Sequence, residues 1–136
     1  LYVPYVNIFE GLGRQEDTAR LIERFTTVLE QQLREVPEDV RARILLATNY
    51  ASGGRDVDAA RELQKAVDLR PNDSNILYNA ACTYGVMGSK QEAIEMLRRA
   101  KAAGYQNLEW TRRDPDLACL HGEPDFEKLF DPSSKV

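Results

Sequence analysis

The sequence predicts an all-α protein built from antiparallel helix pairs that stack on one another. One pattern of small, aromatic and apolar residues recurs after 34 residues, first in 38–71 and then in 72–105. Within each copy the apolar residues recur at the spacing of one helix face, and glycine separates two such stretches. Because a single helix pair cannot bury its apolar face alone, the repetition predicts a stacked array.

The recurring residues have packing and turn roles. The matched residues are Leu46 and Ala80, Ala47 and Ala81, Tyr50 and Tyr84, Gly54 and Gly88, Ala59 and Ala93, Leu63 and Leu97, and Ala66 and Ala100. The alanines allow two helices to approach closely, and the tyrosines fill the wider gap between them. Gly88 tolerates a positive φ where a helix ends, so Gly85-x-x-Gly88 is predicted to be a helix end and turn rather than a phosphate loop.

Residues 1–37 are predicted to form a degenerate third unit. Gly13 precedes Gly54 by seven residues more than the 34-residue period. Seven residues make about two helical turns, so the insertion lengthens a helix without rotating its apolar face. Apolar residues continue at helical spacing, so one long helix is predicted from about Glu16 to Val36. Pro37 is expected to end it.

Residues 106–130 are predicted to form a C-terminal capping element. Asp114-Pro115 and Glu123-Pro124 each place an acidic residue before a proline, a pattern typical of helix starts. The apolar face comprises Leu117, Leu120, Phe126, Leu129 and Phe130, and Trp110 is expected to seal the last repeat. Residues 131–136 are polar and are predicted to be a disordered tail.

The repeated pattern resembles the tetratricopeptide repeat (TPR) family. The residues that carry the resemblance are Leu46, Ala47, Tyr50, Gly54, Ala59, Leu63, Ala66 and Pro71, and Leu77, Ala80, Ala81, Tyr84, Gly88, Ala93, Leu97 and Ala100. Arg43 departs from the family's preference for an aromatic residue or leucine, and Tyr105 replaces the closing proline. The resemblance implies a right-handed superhelix of helix pairs, a TPR-like α-solenoid, in one domain spanning residues 1–130.

The resemblance also implies where a partner would bind. In this family the first helix of each unit lines a concave groove that holds a peptide or a helix. The positions that correspond to the groove are Asn7, Arg41, Ile44, Thr48, Asn75, Tyr78, Asn79, Cys82 and Val86. The lysines with which some members hold a chaperone's C-terminal carboxylate are absent here, so that ligand is not expected.

The sequence offers little for catalysis or metal binding. His121 has no ligand cluster around it, and Cys82 and Cys119 lack the two further ligands that a zinc site needs. Cys119 and His121 are two residues apart, so on a helix they point to different sides. No Gly-x-Ser-x-Gly motif is present. We therefore expect no enzyme activity, no metal and no cofactor.

Composition narrows the class of partner. The net charge of −4 argues against nucleic acid, and no apolar run approaches the roughly 20 residues of a membrane span. Two cysteines make no disulfide framework, which favours a reducing, cytoplasmic setting. The chain begins with Leu1 rather than methionine, from which we expect a longer protein.

Three functions fit these observations. The first is a protein–protein interaction scaffold that binds a peptide or helix in the groove. The second is homo-oligomerisation through the long helix 16–36, whose apolar residues are Leu21, Phe25, Val28, Leu29 and Leu33. The third is a regulatory C-terminal arm of a larger kinase or nucleotide-cyclase protein, because the capping pattern resembles the end of repeat regions in large bacterial signalling proteins.

Overall fold

A computed structural model describes residues 15–131, and this part of the chain is helical without a strand. The α-helices are α1 (Gln15–Glu35), α2 (Val40–Ser52), α3 (Asp56–Leu69), α4 (Ser74–Val86), α5 (Lys90–Ala102), α6 (Leu108–Arg113) and α7 (Pro124–Lys128), with a 3₁₀ helix at Pro115–Leu120. The all-α prediction is confirmed. Asn7 and the predicted tail after residue 131 lie outside the described residues.

The described residues divide into two compact units, residues 15–69 and residues 70–131. In the first unit α1 packs on α2, and α2 packs on α3. The long helix α1 ends at Glu35, within one residue of the predicted end and two residues before Pro37. Asp39 caps α2, where its Oδ1 accepts a hydrogen bond from the Ala42 amide at 3.1 Å.

The core of the first unit includes the residues that the repeat predicted. Its buried side chains are Leu29, Leu33, Val40, Ala42, Ile44, Leu46, Ala47, Tyr50, Ala59, Leu63, Ala66 and Val67. A part-buried ion pair is formed by Arg43, the residue that departs from the family's preference: its Nη1 lies 2.6 Å from Glu62 Oε1. The same guanidinium donates to the Pro37 carbonyl, so Arg43 ties α2 to both α3 and the preceding turn.

The second unit contains the second helix pair and the C-terminal element. Helices α4 and α5 begin 34 residues after α2 and α3, and they pack against each other. Asp73 Oδ1 accepts hydrogen bonds from the Asn75 and Ile76 amides and caps α4. Gly88 has a φ of 76° and Gly54 in the first unit has 77°, so both turns use the left-handed conformation expected of them.

The C-terminal element buries three of its leucines and Phe126 in the second unit. Leu117, Leu120 and Phe126 are at most 1% exposed. Asp114 caps the 3₁₀ helix through the Asp116 amide, as predicted, whereas the Glu123 side chain makes no capping hydrogen bond and instead pairs with Lys90 at 3.1 Å. Trp110 is 43% exposed, so the expectation that it seals the last repeat is wrong.

The 3₁₀ helix lies against α4 at Gly85. A Cβ atom built on Gly85 would lie 2.5 Å from the Asp116 carbonyl oxygen and 3.1 Å from Leu117 Cδ2. A glycine is therefore needed there for close approach of two backbones rather than for its φ.

None of the helices in residues 15–131 has the length and apolar character that a membrane-spanning helix needs.

Candidate functional site

The first unit presents part of the predicted groove lining. Arg41 is exposed at the start of α2. Ile44 is buried and belongs to the core, and half-buried Thr48 donates a hydrogen bond to the Ile44 carbonyl at 3.0 Å. Of these three positions, Arg41 therefore has the side chain best placed to contact a partner.

The second unit divides its predicted groove residues between two environments. Asn75 and Val86 are exposed and Asn79 is half-buried on α4. Tyr78 is buried, and both Tyr78 and Cys82 are turned toward the start of the 3₁₀ helix, where they contact Asp114. In this unit the chain's own C-terminal element therefore occupies the face at Tyr78 and Cys82.

Tyr78, Cys82, Tyr105, Asp114 and Asp116 form a polar group that we call the Asp114 cluster. Asp114 Oδ2 accepts hydrogen bonds from the Tyr78 hydroxyl at 2.6 Å and from the Cys82 thiol at 3.5 Å. Its Oδ1 accepts one from the Asp116 amide at 3.0 Å. The Tyr78 and Tyr105 rings stack with centroids 4.3 Å apart, which fixes the orientation of the phenol that donates to Asp114.

Burial controls ionisation in the Asp114 cluster. Loss of solvent raises the pKa of the Tyr78 phenol, and its hydrogen bond to Asp114 raises that pKa further. Loss of solvent, followed by the negative charges of Asp114 and Asp116, raises the pKa of the Cys82 thiol. The Asp116 pKa is also raised, first by burial and then by the charge of Asp114. Cys82 is therefore a protonated thiol at neutral pH and a poor nucleophile.

Sequence reasoning did not find this cluster. It interpreted Asp114-Pro115 only as a helix start, and it found no partner for Cys82. The fold brings the Cys82 thiol and the carboxylates of Asp114 and Asp116 together, with their ligand atoms within 4.8 Å of one another. One signal was present in the repeat, where Gly85 takes the place that Ala51 has in the first copy. That change marks the point at which the 3₁₀ helix approaches.

Cys119 and His121, the other candidate pair, bond to different parts of the backbone. Cys119 donates through Sγ to the Gly85 carbonyl at 3.3 Å. His121 Nε2 lies 2.9 Å from the Arg112 carbonyl, in the turn after the 3₁₀ helix. The two side chains therefore have separate backbone partners, in keeping with the predicted divergence. Cys82 and Cys119 are both free thiols.

The apolar surface of α1 is smaller than the sequence suggested. Leu29 and Leu33 are buried in the first unit, Leu21 and Phe25 are half-buried, and Val28 is exposed. Isolated exposed apolar side chains are ordinary on protein surfaces. This arrangement therefore adds nothing in favour of self-association through α1.

Comparison with known proteins gives one partial likeness. No family model matches the sequence, and no solved structure matches it. The chain is similar to a chloroplastic protein of Arabidopsis thaliana, with 27% identity over 84 residues. The match covers 60% of this chain and 25% of that protein, so it spans about a quarter of the relative's length.

Proposed function

We propose that this chain is a non-enzymatic, TPR-like repeat module that binds a protein or peptide partner. The observation that carries the proposal is the repetition of two helix pairs with the same buried residues. Ala47 and Ala81 have no exposed surface, and Ala59 and Ala93 likewise have none, each pair 34 residues apart. A repeated packing scheme of this kind leaves the remaining helix positions free to vary for recognition.

Each unit has its own proposed contact residues: Arg41 on α2 in the first unit, and Asn75, Asn79 and Val86 on α4 in the second. Arg41, Asn75 and Val86 are exposed, and Asn79 is half-buried. Arginine and asparagine side chains donate several hydrogen bonds each and suit the backbone carbonyls of an extended peptide. Tyr78 and Ile44 are left out of this revised set, because both are buried.

The test uses a phage-displayed library of linear peptides, selected on the wild-type chain. Peptides recovered from it are measured for affinity to Arg41→Ala and, separately, to the double variant Asn75→Ala/Asn79→Ala. We expect a loss of about tenfold or more in affinity for at least one variant, since truncating a residue at an interface centre costs about 2 kcal/mol or more and about 1.4 kcal/mol is tenfold.

The matched control replaces exposed glutamines on the second helix of each pair. Gln64 on α3 and Gln91 on α5 are exposed, so Gln64→Ala/Gln91→Ala alters the surface without touching α2 or α4. The control is expected to keep wild-type affinity and helical circular dichroism. Selected peptides that bind the α2 variant and the α4 variant as tightly as they bind wild type would count against the proposed contact residues.

A further inference from the structure

We propose that Cys82, Asp114 and Asp116 form a binding site for a divalent transition-metal ion of the zinc type. This site is separate from the proposed partner contacts, and its test does not depend on them. Cys82 comes from α4, whereas Asp114 and Asp116 come from the start of the 3₁₀ helix. Gly85 brings these two elements into backbone contact, and the three ligand atoms converge within 4.8 Å.

The negative charges of Asp114 and Asp116 favour the binding of a cation between them. Asp114 is 5% exposed and Asp116 is half-buried. Among residues 15–131, no lysine, arginine or histidine forms an ion pair with either carboxylate. A buried and a half-buried carboxylate side by side without a counter-charge are costly, because burial weakens their hydration and like charges repel. A divalent ion would supply the missing positive charge.

The distances fit a metal between the thiol and the carboxylate. Cys82 Sγ and Asp114 Oδ2 are 3.5 Å apart. A tetrahedral zinc ion with bonds of about 2.3 Å to sulfur and about 2.0 Å to oxygen separates these two ligands by about the same distance. The ion would therefore bind both atoms at their present separation and displace the thiol proton.

Tyr78 supplies the hydrogen bond that a metal-bound carboxylate usually accepts from a neighbouring group. Its hydroxyl donates to Asp114 Oδ2 at 2.6 Å, and its ring is fixed by the stack on Tyr105. A carboxylate oxygen has two lone pairs, so it can accept from Tyr78 and bind an ion at once. Hydrogen bonds of this type orient the metal ligand and raise affinity.

Binding exchanges a proton for the ion. The Cys82 S–H bond breaks, the sulfur electron pair forms the bond to the metal, and the proton leaves to the buffer. Thiolate selects borderline-soft ions, and three protein ligands leave a fourth position of the tetrahedron for water. The chemistry therefore favours Zn²⁺ or Co²⁺ over Mg²⁺ or Ca²⁺.

Titration of the reduced chain with Co²⁺ tests the site directly. A cobalt–thiolate bond gives a near-ultraviolet charge-transfer band, and tetrahedral coordination gives visible bands. We expect both bands in wild type and their displacement by Zn²⁺. Cys82→Ser should lose the charge-transfer band, and Asp116→Asn should weaken binding by about tenfold or more.

Cys119→Ser is the matched control, because Cys119 is the other thiol and bonds to the Gly85 carbonyl outside the site. It should keep the band and the wild-type affinity. Zn²⁺ should also raise the melting temperature of wild type and Cys119→Ser but not of Cys82→Ser. No band in folded wild type at about millimolar Co²⁺, or a band that survives in Cys82→Ser, would overturn the proposal.

Discussion

At the scale of single residues, Gly85 has the most restrictive surroundings among Gly85, Gly88, Gly104 and Gly122 of the second unit. A β-carbon there would lie 2.5 Å from the Asp116 carbonyl oxygen, which belongs to the backbone and cannot rotate away. The 3₁₀ helix would have to move off α4, and with it the buried side chain of Leu117. Overpacking of this kind costs about 1–3 kcal/mol.

We therefore predict that Gly85→Ala lowers the free energy of unfolding by about 2 kcal/mol, although alanine has the higher helix propensity. Urea unfolding followed by circular dichroism measures the change. Ala51→Gly is the matched variant, since Ala51 holds the equivalent position in α2. This variant should lose only about 1 kcal/mol of unfolding free energy, the usual cost of a glycine inside a helix. Equal or increased stability in Gly85→Ala would refute the close approach.

At the scale of elements, the C-terminal segments differ in how much they stabilise the second unit. Phe126 of α7 is 1% exposed and its ring meets Phe130 edge to face at 5.1 Å. Trp110 of α6 keeps 43% of its surface exposed. The smaller aromatic residue is thus the one whose burial stabilises the cap, because the larger one leaves much of its surface in water.

Phe126→Ala is predicted to destabilise the chain by about 3–5 kcal/mol, the usual cost of removing a buried phenylalanine. Trp110→Ala is predicted to cost less than Phe126→Ala, because 43% of the tryptophan surface stays in water and gains nothing from folding. Thermal unfolding of the two variants compares them directly. A larger loss for Trp110→Ala than for Phe126→Ala would contradict this ranking.

The elements show what the sequence could and could not specify. The 34-residue period predicted the two helix pairs α2–α3 and α4–α5, because alanine, tyrosine and glycine carry clear packing and turn roles at fixed positions. Local patterns also gave α1 and the start of the 3₁₀ helix at Asp114. The contact of Asp114 with Tyr78 was not predictable, since these residues are 36 apart and the period stops before the capping element. Only the fold brings them together.

At the scale of the whole molecule, tyrosine and cysteine side chains with raised pKa values determine how stability changes at alkaline pH. Burial and the hydrogen bond to Glu30 raise the pKa of Tyr50 to about 12. Burial also raises the pKa values of Tyr78, Tyr84 and Tyr105, and that of the Cys82 thiol. In the unfolded chain tyrosine ionises near pH 10 and cysteine near pH 8.5. At a pH above the unfolded pKa of such a group and below its folded pKa, the folded state therefore holds more protons than the unfolded state.

Stability must then fall as the pH rises, because unfolding releases protons that the fold retains. The contribution of each group is fully present below its unfolded pKa and is lost as the pH passes through its folded pKa. We predict a steady melting temperature up to about pH 8 and a steep decline from about pH 9 to pH 11, measured by circular dichroism. Tyr50→Phe should be less stable at pH 8, since it loses the hydrogen bond to Glu30, yet decline less with pH. A melting temperature that stayed level to about pH 11 would show that these groups already ionise inside the folded protein.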